Sequence, residues 1–307
     1  WSYGFQHDQT WPTSRSGTFG LSLDLNRVSD GSYWRDFGSF TGRRSGKRTS
    51  DHLVPSTGTV SWNRGNWSAF LREQRWQTLQ WPDTDKIVPP FNRSPQLHAR
   101  YARSNIKGFD VALDFDTTRF RSDPSLTGYP NGERSYVNAQ ISYPLLRPWG
   151  FFTPAVEWNA TQYRTDTAMS NGMRRASRVL PTITLDGGLI FERNTRMFGR
   201  NVQHTLEPRL FYAYAPYKQQ DHLPVYDSAM RDLNLSSIFS SNPFTGYDRI
   251  SDNNTLTAGV TSRLYDAGSG AELARLTLAQ RHHFTTGFSE RYGCGQLAQL
   301  QRYSGRR

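Results

Sequence analysis

Asp110, Asp114 and Asp116 are the residues whose types and spacing could most readily do chemistry. With Ala112 they alternate with Phe109, Val111, Leu113 and Phe115. In an extended chain the three carboxyls share one face. A divalent cation or a paired-carboxylate glycosidase would need acids that close together. The opposite face, made of Phe, Val and Leu, suggests another demand: acids toward water and hydrocarbon toward lipid, as in a membrane barrel. The other reactive groups are weaker candidates. His282 and His283 are adjacent on an extended run, so they point to opposite faces and cannot share a metal. Gly268–Gly270 precedes no helix start and reads as a turn rather than a phosphate cradle. Cys294, the single cysteine, has no convincing histidine partner and excludes an internal disulfide. No catalytic group, metal site or cofactor is expected.

The net charge is +11, carried by arginine, since lysine occurs only at 47, 86, 107 and 218. Arginine's planar fork suits phosphate and carboxylate, although a biased genome composition produces the same usage. Arg43, Arg44, Lys47 and Arg48 form the densest basic cluster, read either as a solvated loop or as contacts to phosphate groups at a surface. No recognised nucleic-acid motif accompanies the charge, so nucleic acid is not an expected partner.

The elements that must position these residues are strands. Phe19, Leu21, Leu23 and Leu25 alternate with Gly20, Ser22, Asp24 and Asn26, and similar patterns recur near 57–62, 67–76, 97–101, 137–143, 156–160, 181–193 and 273–279. Trp1–Gln6 reads as the end of another strand, followed by a polar link at Pro12–Ser16. Asn63–Asn66 reads as a hairpin turn at the periplasmic rim, Leu145–Gly150 as a short connection, and the proline-bearing 81–95 segment as a loop. Two strands flank the longest excursion. Leu206, Pro208, Leu210, Tyr212 and Tyr214 alternate with Thr205, Glu207, Arg209, Phe211 and Ala213. Beyond it, Leu256, Ala258, Val260 and Leu264 alternate with Thr255, Thr257, Thr261 and Arg263. Between them a polar segment, about 216–253, lacks steady periodicity and is far longer than a hairpin loop.

Only 36% of residues are hydrophobic, mean hydropathy is -0.71, and no run is long and apolar enough for a transmembrane helix. A barrel strand puts only alternate residues into lipid and escapes that test. The 14% aromatic content fits rings at membrane interfaces. The predicted fold class is therefore all-β: an antiparallel transmembrane β-barrel, present in part, with about 11–12 strands of a larger outer-membrane barrel. No helix is required outside the long loop.

Four words in this region also carry a resemblance: TLEPR at Thr205–Arg209, YDS at Tyr226–Ser228, GYDRI at Gly246–Ile250 and AGVTSRLYD at Ala258–Asp266. Together they resemble the barrel domain of the LptD family (OstA/Imp), lipopolysaccharide-assembly proteins of the Gram-negative outer membrane. RVSDGSYWRDF at Arg27–Phe37 and RVLPTITLDGGLIFER at Arg178–Arg193 resemble it too. The resemblance implies a multi-pass barrel that inserts lipopolysaccharide into the outer leaflet, plugged by an LptE-type lipoprotein and fed by an LptA-type periplasmic bridge. The bridge would dock on a domain with no counterpart here. The family's opening and closing strands and its disulfide cysteines likewise have no counterpart, so the chain is expected to be an internal piece. Residues 1–286 are assigned to the barrel domain and 287–307 to an off-pattern tail, disordered or artefactual.

Candidate sites follow from these faces. Glu207, Arg209, Asp110, Asp114, Asp116 and Arg263 are expected to face the lumen, as barrel-wall support or as contacts to a plug. Tyr226, Asp227, Ser228, Tyr247, Asp248 and Arg249 are expected either to fold the loop inward, to grip a partner, or to form a purely structural loop core. Two other classes remain: a porin-like or ligand-gated outer-membrane transporter, which would not be expected to share the four words in order, and a soluble β-rich glycan-binding protein or enzyme.

Overall fold

Period-two alternation selects extended chain, because successive side chains of a strand face opposite ways. The computed structural model describes residues 1–13, 15–33, 52–80, 86–197, 199–284 and 296–302, and it is one antiparallel sheet. Its strands are β1 (Ser2–Thr13), β2 (Gly17–Val28), β3 (Leu53–Arg64), β4 (Trp67–Thr78), β5 (Asn92–Ile106), β6 (Phe109–Arg121) and β7 (Gly132–Ser142). After these come β8 (Leu145–Arg147), β9 (Gly150–Thr165), β10 (Arg175–Leu189), β11 (Phe191–Met197), β12 (Arg200–Ala215), β13 (Asn253–Asp266), β14 (Glu272–His283) and β15 (Gln296–Arg302). Each strand pairs with the next along the chain, except that β8 and β11 are side pieces on β9 and β12, and β9 and β10 continue the path past them.

The all-β antiparallel class expected from alternation is what the chain adopts. The fifteen strands among the described residues exceed the expected count because β8 lies within a segment read as a connection, β11 is severed from β10 at Ile190, and β15 lies beyond 287. Three local expectations need correcting. β1 continues through Pro12, and β5 starts at Asn92 and passes through Pro95, where a register shift between Arg93 and Gln96 accommodates the missing N–H. A helical turn, α1 (Pro124–Thr127), forms in the β6–β7 connection. There Asp123 caps Ser125 N at 2.9 Å and Gly128, at φ 71°, ends the turn.

The connections alternate in length. The turns after β1, β3, β5, β7, β10 and β13 lie at one rim and are short or paired as small hairpins; those after β2, β4, β6, β9 and β12 lie at the other and are longer, up to the 216–252 segment. Large apolar side chains populate one face throughout: Leu71, Leu97, Leu113, Val137, Trp158, Val179, Leu210 and Leu278 are each between 37% and 62% exposed. Adjacent members are register partners, as with Leu71 and Leu97 or Phe115 and Val137. The other face is polar, and near the long-connection rim it is buried. No helix among the described residues is long and apolar enough to cross a membrane.

Candidate functional site: a loop clasped onto the polar face

The 216–252 segment folds back over the polar face. Its central clasp is made by the two loop words identified above. Asp248 accepts hydrogen bonds from Tyr226 N at 2.7 Å and Asp227 N at 2.8 Å, while Ser228 Oγ accepts from Asp248 N at 2.8 Å and Arg249 N at 3.1 Å. Gly246 must be glycine, since its φ is 65° and a Cβ would stand 2.5 Å from Asp227 O. Arg249 stays within the loop, donating to Leu223 O at 2.9 Å.

The strands grip this clasp. Arg134 of β7, 0% exposed, donates two hydrogen bonds to Asp227, at 2.6 and 2.8 Å, and one to Asp248 at 2.6 Å. Tyr163 of β9 donates to Asp248 at 3.0 Å. Arg178 of β10 donates to Asp248 O at 2.6 Å, Tyr247 O at 2.9 Å and Gln220 at 2.6 Å. Arg93 of β5 stands 3.5 Å from Asp227. Tyr226 stacks on Phe120 of β6 with centroids 4.3 Å apart, and Tyr247 stacks on Tyr136 at 4.1 Å. Further along the loop Phe239 lies under the Arg209 guanidinium of β12 and against Gly259 of β13, where a Cβ would meet its ring at 2.7 Å. Thr257 of β13 donates to Ile238 O at 3.1 Å, and Arg281 of β14 donates to Ile238 O and to Ser240 O. Strands from β5 to β14 are thereby tied to one loop.

Within the clasp the buried charges are balanced. Asp116, Asp227 and Asp248 gather around Arg134, with Arg93 and Arg178 beside them, as burial of ions requires. Burial opposes ionisation of Asp227, but the bidentate Arg134 guanidinium outweighs it and holds that carboxyl at about 2. Asp248 moves the other way: complete burial first, and the neighbouring Asp227 charge, push it above the usual carboxylate range against the pull of Arg134. The Tyr226 phenol is raised by burial and by Asp248, and donates to Pro130 O at 3.1 Å.

The aspartates that share a face in β6 have separate uses. Asp116 is fully buried, receiving Gln96 Nε2 and Thr118 Oγ1, both at 2.7 Å. Asp114 pairs with Arg100 at 3.2 Å, and Asp110 lies at the opposite end, accepting from Asn105 N at 2.8 Å to close the β5–β6 turn. Glu207, Arg209 and Arg263 come together on the wall of a 560 Å³ cavity beneath Leu235, Ser236 and Phe239. Asp186 pairs with Arg209 at 2.7 Å, Glu207 with Arg263 at 3.2 Å, Arg263 with Glu272 at 3.6 Å and Glu272 with Arg275 at 2.8 Å. An ion-pair ladder therefore runs from β10 to β14. Arg43, Arg44, Lys47 and Arg48 lie outside the described residues. Sequence reasoning did not single out Arg134, Tyr163, Arg178 or Arg281. Their one signal is a polar residue at an inward alternate position, and Arg178 also opens one of the upstream words.

The family model described as "LptD: LPS transport system D" matches residues 1–291. This chain belongs to the LptD family. Among curated relatives, the LPS-assembly protein LptD of Acidovorax sp. (strain JS42) is 47% identical over 288 residues, covering 93% of this chain and 35% of the relative. The LPS-assembly protein LptD of Paracidovorax citrulli (strain AAC00-1) is 48% identical over 287 residues with the same coverages, and that of Polaromonas sp. (strain JS666 / ATCC BAA-500) is 47% identical over 292 residues, 92% and 35%. The chain thus spans about a third of the length of these LptD relatives. What the family match covers is the wall and its inward loop.

Proposed function

We propose that this chain is a wall segment of an outer-membrane β-barrel that inserts lipopolysaccharide into the outer leaflet of a Gram-negative bacterium. The family match over residues 1–291 carries the proposal. The faces support it: exposed leucine, valine and tryptophan on one side suit lipid, and the polar side suits a lumen. In this reading the short connections face the periplasm and the longer ones the cell surface. An LptE-type lipoprotein is the plug, and Glu207, Arg209 and Arg263, lining the cavity below the loop, are the wall residues offered to it. An LptA-type bridge delivers cargo through a domain outside this chain. Arg43, Arg44, Lys47 and Arg48 would meet glycolipid phosphates at the surface. The role is assembly and transport, without a catalytic step.

The family match over residues 1–291 favours this reading over a porin-like transporter. The deciding experiment is depletion of the full-length natural protein followed by surface labelling of newly made lipopolysaccharide. Loss of new surface lipopolysaccharide with other barrels still assembling supports export; normal arrival with a small-molecule uptake defect overturns it in favour of a porin.

A further inference from the structure

Both rims carry exposed arginines, and at the short-connection rim they lie beside aromatic rings. At the short-connection rim Arg64, Arg103, Lys107, Arg147, Arg193 and Arg196 are all exposed, and none forms an ion pair among the described residues. Acids there are few: exposed Glu192 accepts from Gln203 at 3.0 Å, half-buried Asp266 is engaged by its own turn at Gly268 and Ser269, half-buried Asp110 accepts from Asn105 N, and half-buried Glu272 pairs with Arg275 at 2.8 Å and Arg263 at 3.6 Å. At the opposite rim Arg75 pairs with Glu73 at 2.9 Å, and Arg119 with Asp166 at 2.7 Å and Glu133 at 3.3 Å, while Arg121, Arg164, Arg174 and Arg175 are exposed with no ion pair among the described residues.

The same short rim carries rings on the lipid-facing side. Trp67 packs on Tyr101 with centroids 4.9 Å apart, Phe109 packs on Tyr143 at 4.8 Å, and Trp149 is 62% exposed. Gly108, at φ 92°, leaves room for the Tyr143 ring, which a Cβ would meet at 2.7 Å. Aromatic rings of this kind settle at the headgroup level of a bilayer. Arg64, Arg103, Arg147 and Arg193 follow the same outward register as those rings, through the pairs Arg64 with Trp67, Arg103 with Val111, Arg147 with Gly150 and Arg193 with His204. A guanidinium beside an interfacial ring is placed to meet a phosphodiester with its planar fork.

We infer that the short rim is a docking surface for anionic phospholipid headgroups, of the phosphatidylglycerol type, in the leaflet opposite the long loops. The inference rests on the membrane-wall reading above but not on the cargo. Charge complementarity selects the occupant: unmatched cations at the headgroup level gain from an anionic layer, and little from a zwitterionic one.

The test uses the full-length natural protein in neutral detergent, offered equal phosphatidylglycerol and phosphatidylethanolamine, with bound lipid counted by native mass spectrometry. The wild type is expected to retain phosphatidylglycerol several-fold over phosphatidylethanolamine, with the preference shrinking at high salt. A variant carrying R64Q, R103Q, R147Q, R193Q and R196Q is expected to lose that preference, while a long-rim control with R121Q, R164Q, R174Q and R175Q keeps it. Heat-modifiable gel mobility reports that each variant is folded. Equal binding of both lipids by the wild type, an unchanged preference in the short-rim variant, or equal loss in the control would overturn the inference. So would lipopolysaccharide displacing the bound phosphatidylglycerol from the wild type but not the short-rim variant. Lipid preference is read without export, so a failed export assay leaves this result intact.

Discussion

The buried clasp around Arg134 and the short-connection rim use arginine in opposite ways. Around Arg134 every charge is buried and answered: Asp227, Asp248 and Asp116 surround it, and Phe120 and Tyr247 lie 4.9 and 5.1 Å from its guanidinium carbon. Around Arg64, Arg103 and Arg147 charges are exposed and have no ion pair among the described residues. A buried ion without a partner costs several kcal/mol, so the first arrangement has to be complete to exist. An exposed ion is hydrated and can wait for a partner from outside. The difference separates a structural lock from an adhesive surface.

The sharpest way to break that contrast is to remove the lock's centre. Arg134→Ala strands three carboxylates against one another, and we expect loop docking to weaken by about 3–5 kcal/mol. Protease cleavage between 229 and 245 in the full-length protein should become rapid, whereas Arg64→Ala should leave it unchanged. Next in size is Gly259→Leu: a side chain there displaces Phe239, which a Cβ alone would approach at 2.7 Å. The expected cost is about 1–3 kcal/mol, read as hydrogen exchange at 235–241 with the Arg134 clasp still protected.

pH sharpens the comparison further. Asp227 is held at about 2, below the ordinary 3.8. Its stabilising share is therefore present above about pH 4 and is lost as pH falls through about 2. Asp248, shifted upward by burial, acts with the opposite sign, its share shrinking as pH rises above the ordinary carboxylate value. Pepsin sensitivity of the loop between pH 4 and 2 measures the first, and Asp227→Asn should flatten the profile. The smallest effect is expected at the Asp186–Arg209 pair. Its side chains are 22% and 39% exposed, so Arg209→Ala should cost no more than about 1 kcal/mol in thermal unfolding.

Much of the fold was legible in the residues. Leu206, Leu210 and Tyr214 against Thr205, Glu207 and Arg209 announce a strand with one wet face, and the run from 216 to 252 announces a loop too long for a hairpin. YDS and GYDRI marked the two loop segments that meet in the clasp. What could not be read was the other half of it. Arg134 stands 93 positions before Asp227 and 114 before Asp248, and nothing local to its strand distinguishes it from any inward polar residue. β8, β11 and β15 were missed for a related reason: short or off-pattern segments become strands only because a long neighbour offers free N–H and C=O groups.

Alternation, which is a property of adjacent residues, was thus set by the sequence alone: strands, faces, and the long and short connections between them. The tertiary structure decided which inward residues meet. That choice depends on sheet curvature and on where a returning loop lands, and both arise from contacts among residues far apart in the chain. Asp227 and Asp248 became a lock on the wall, and not a free surface, because packing brought Arg134, Tyr163 and Arg178 beneath them.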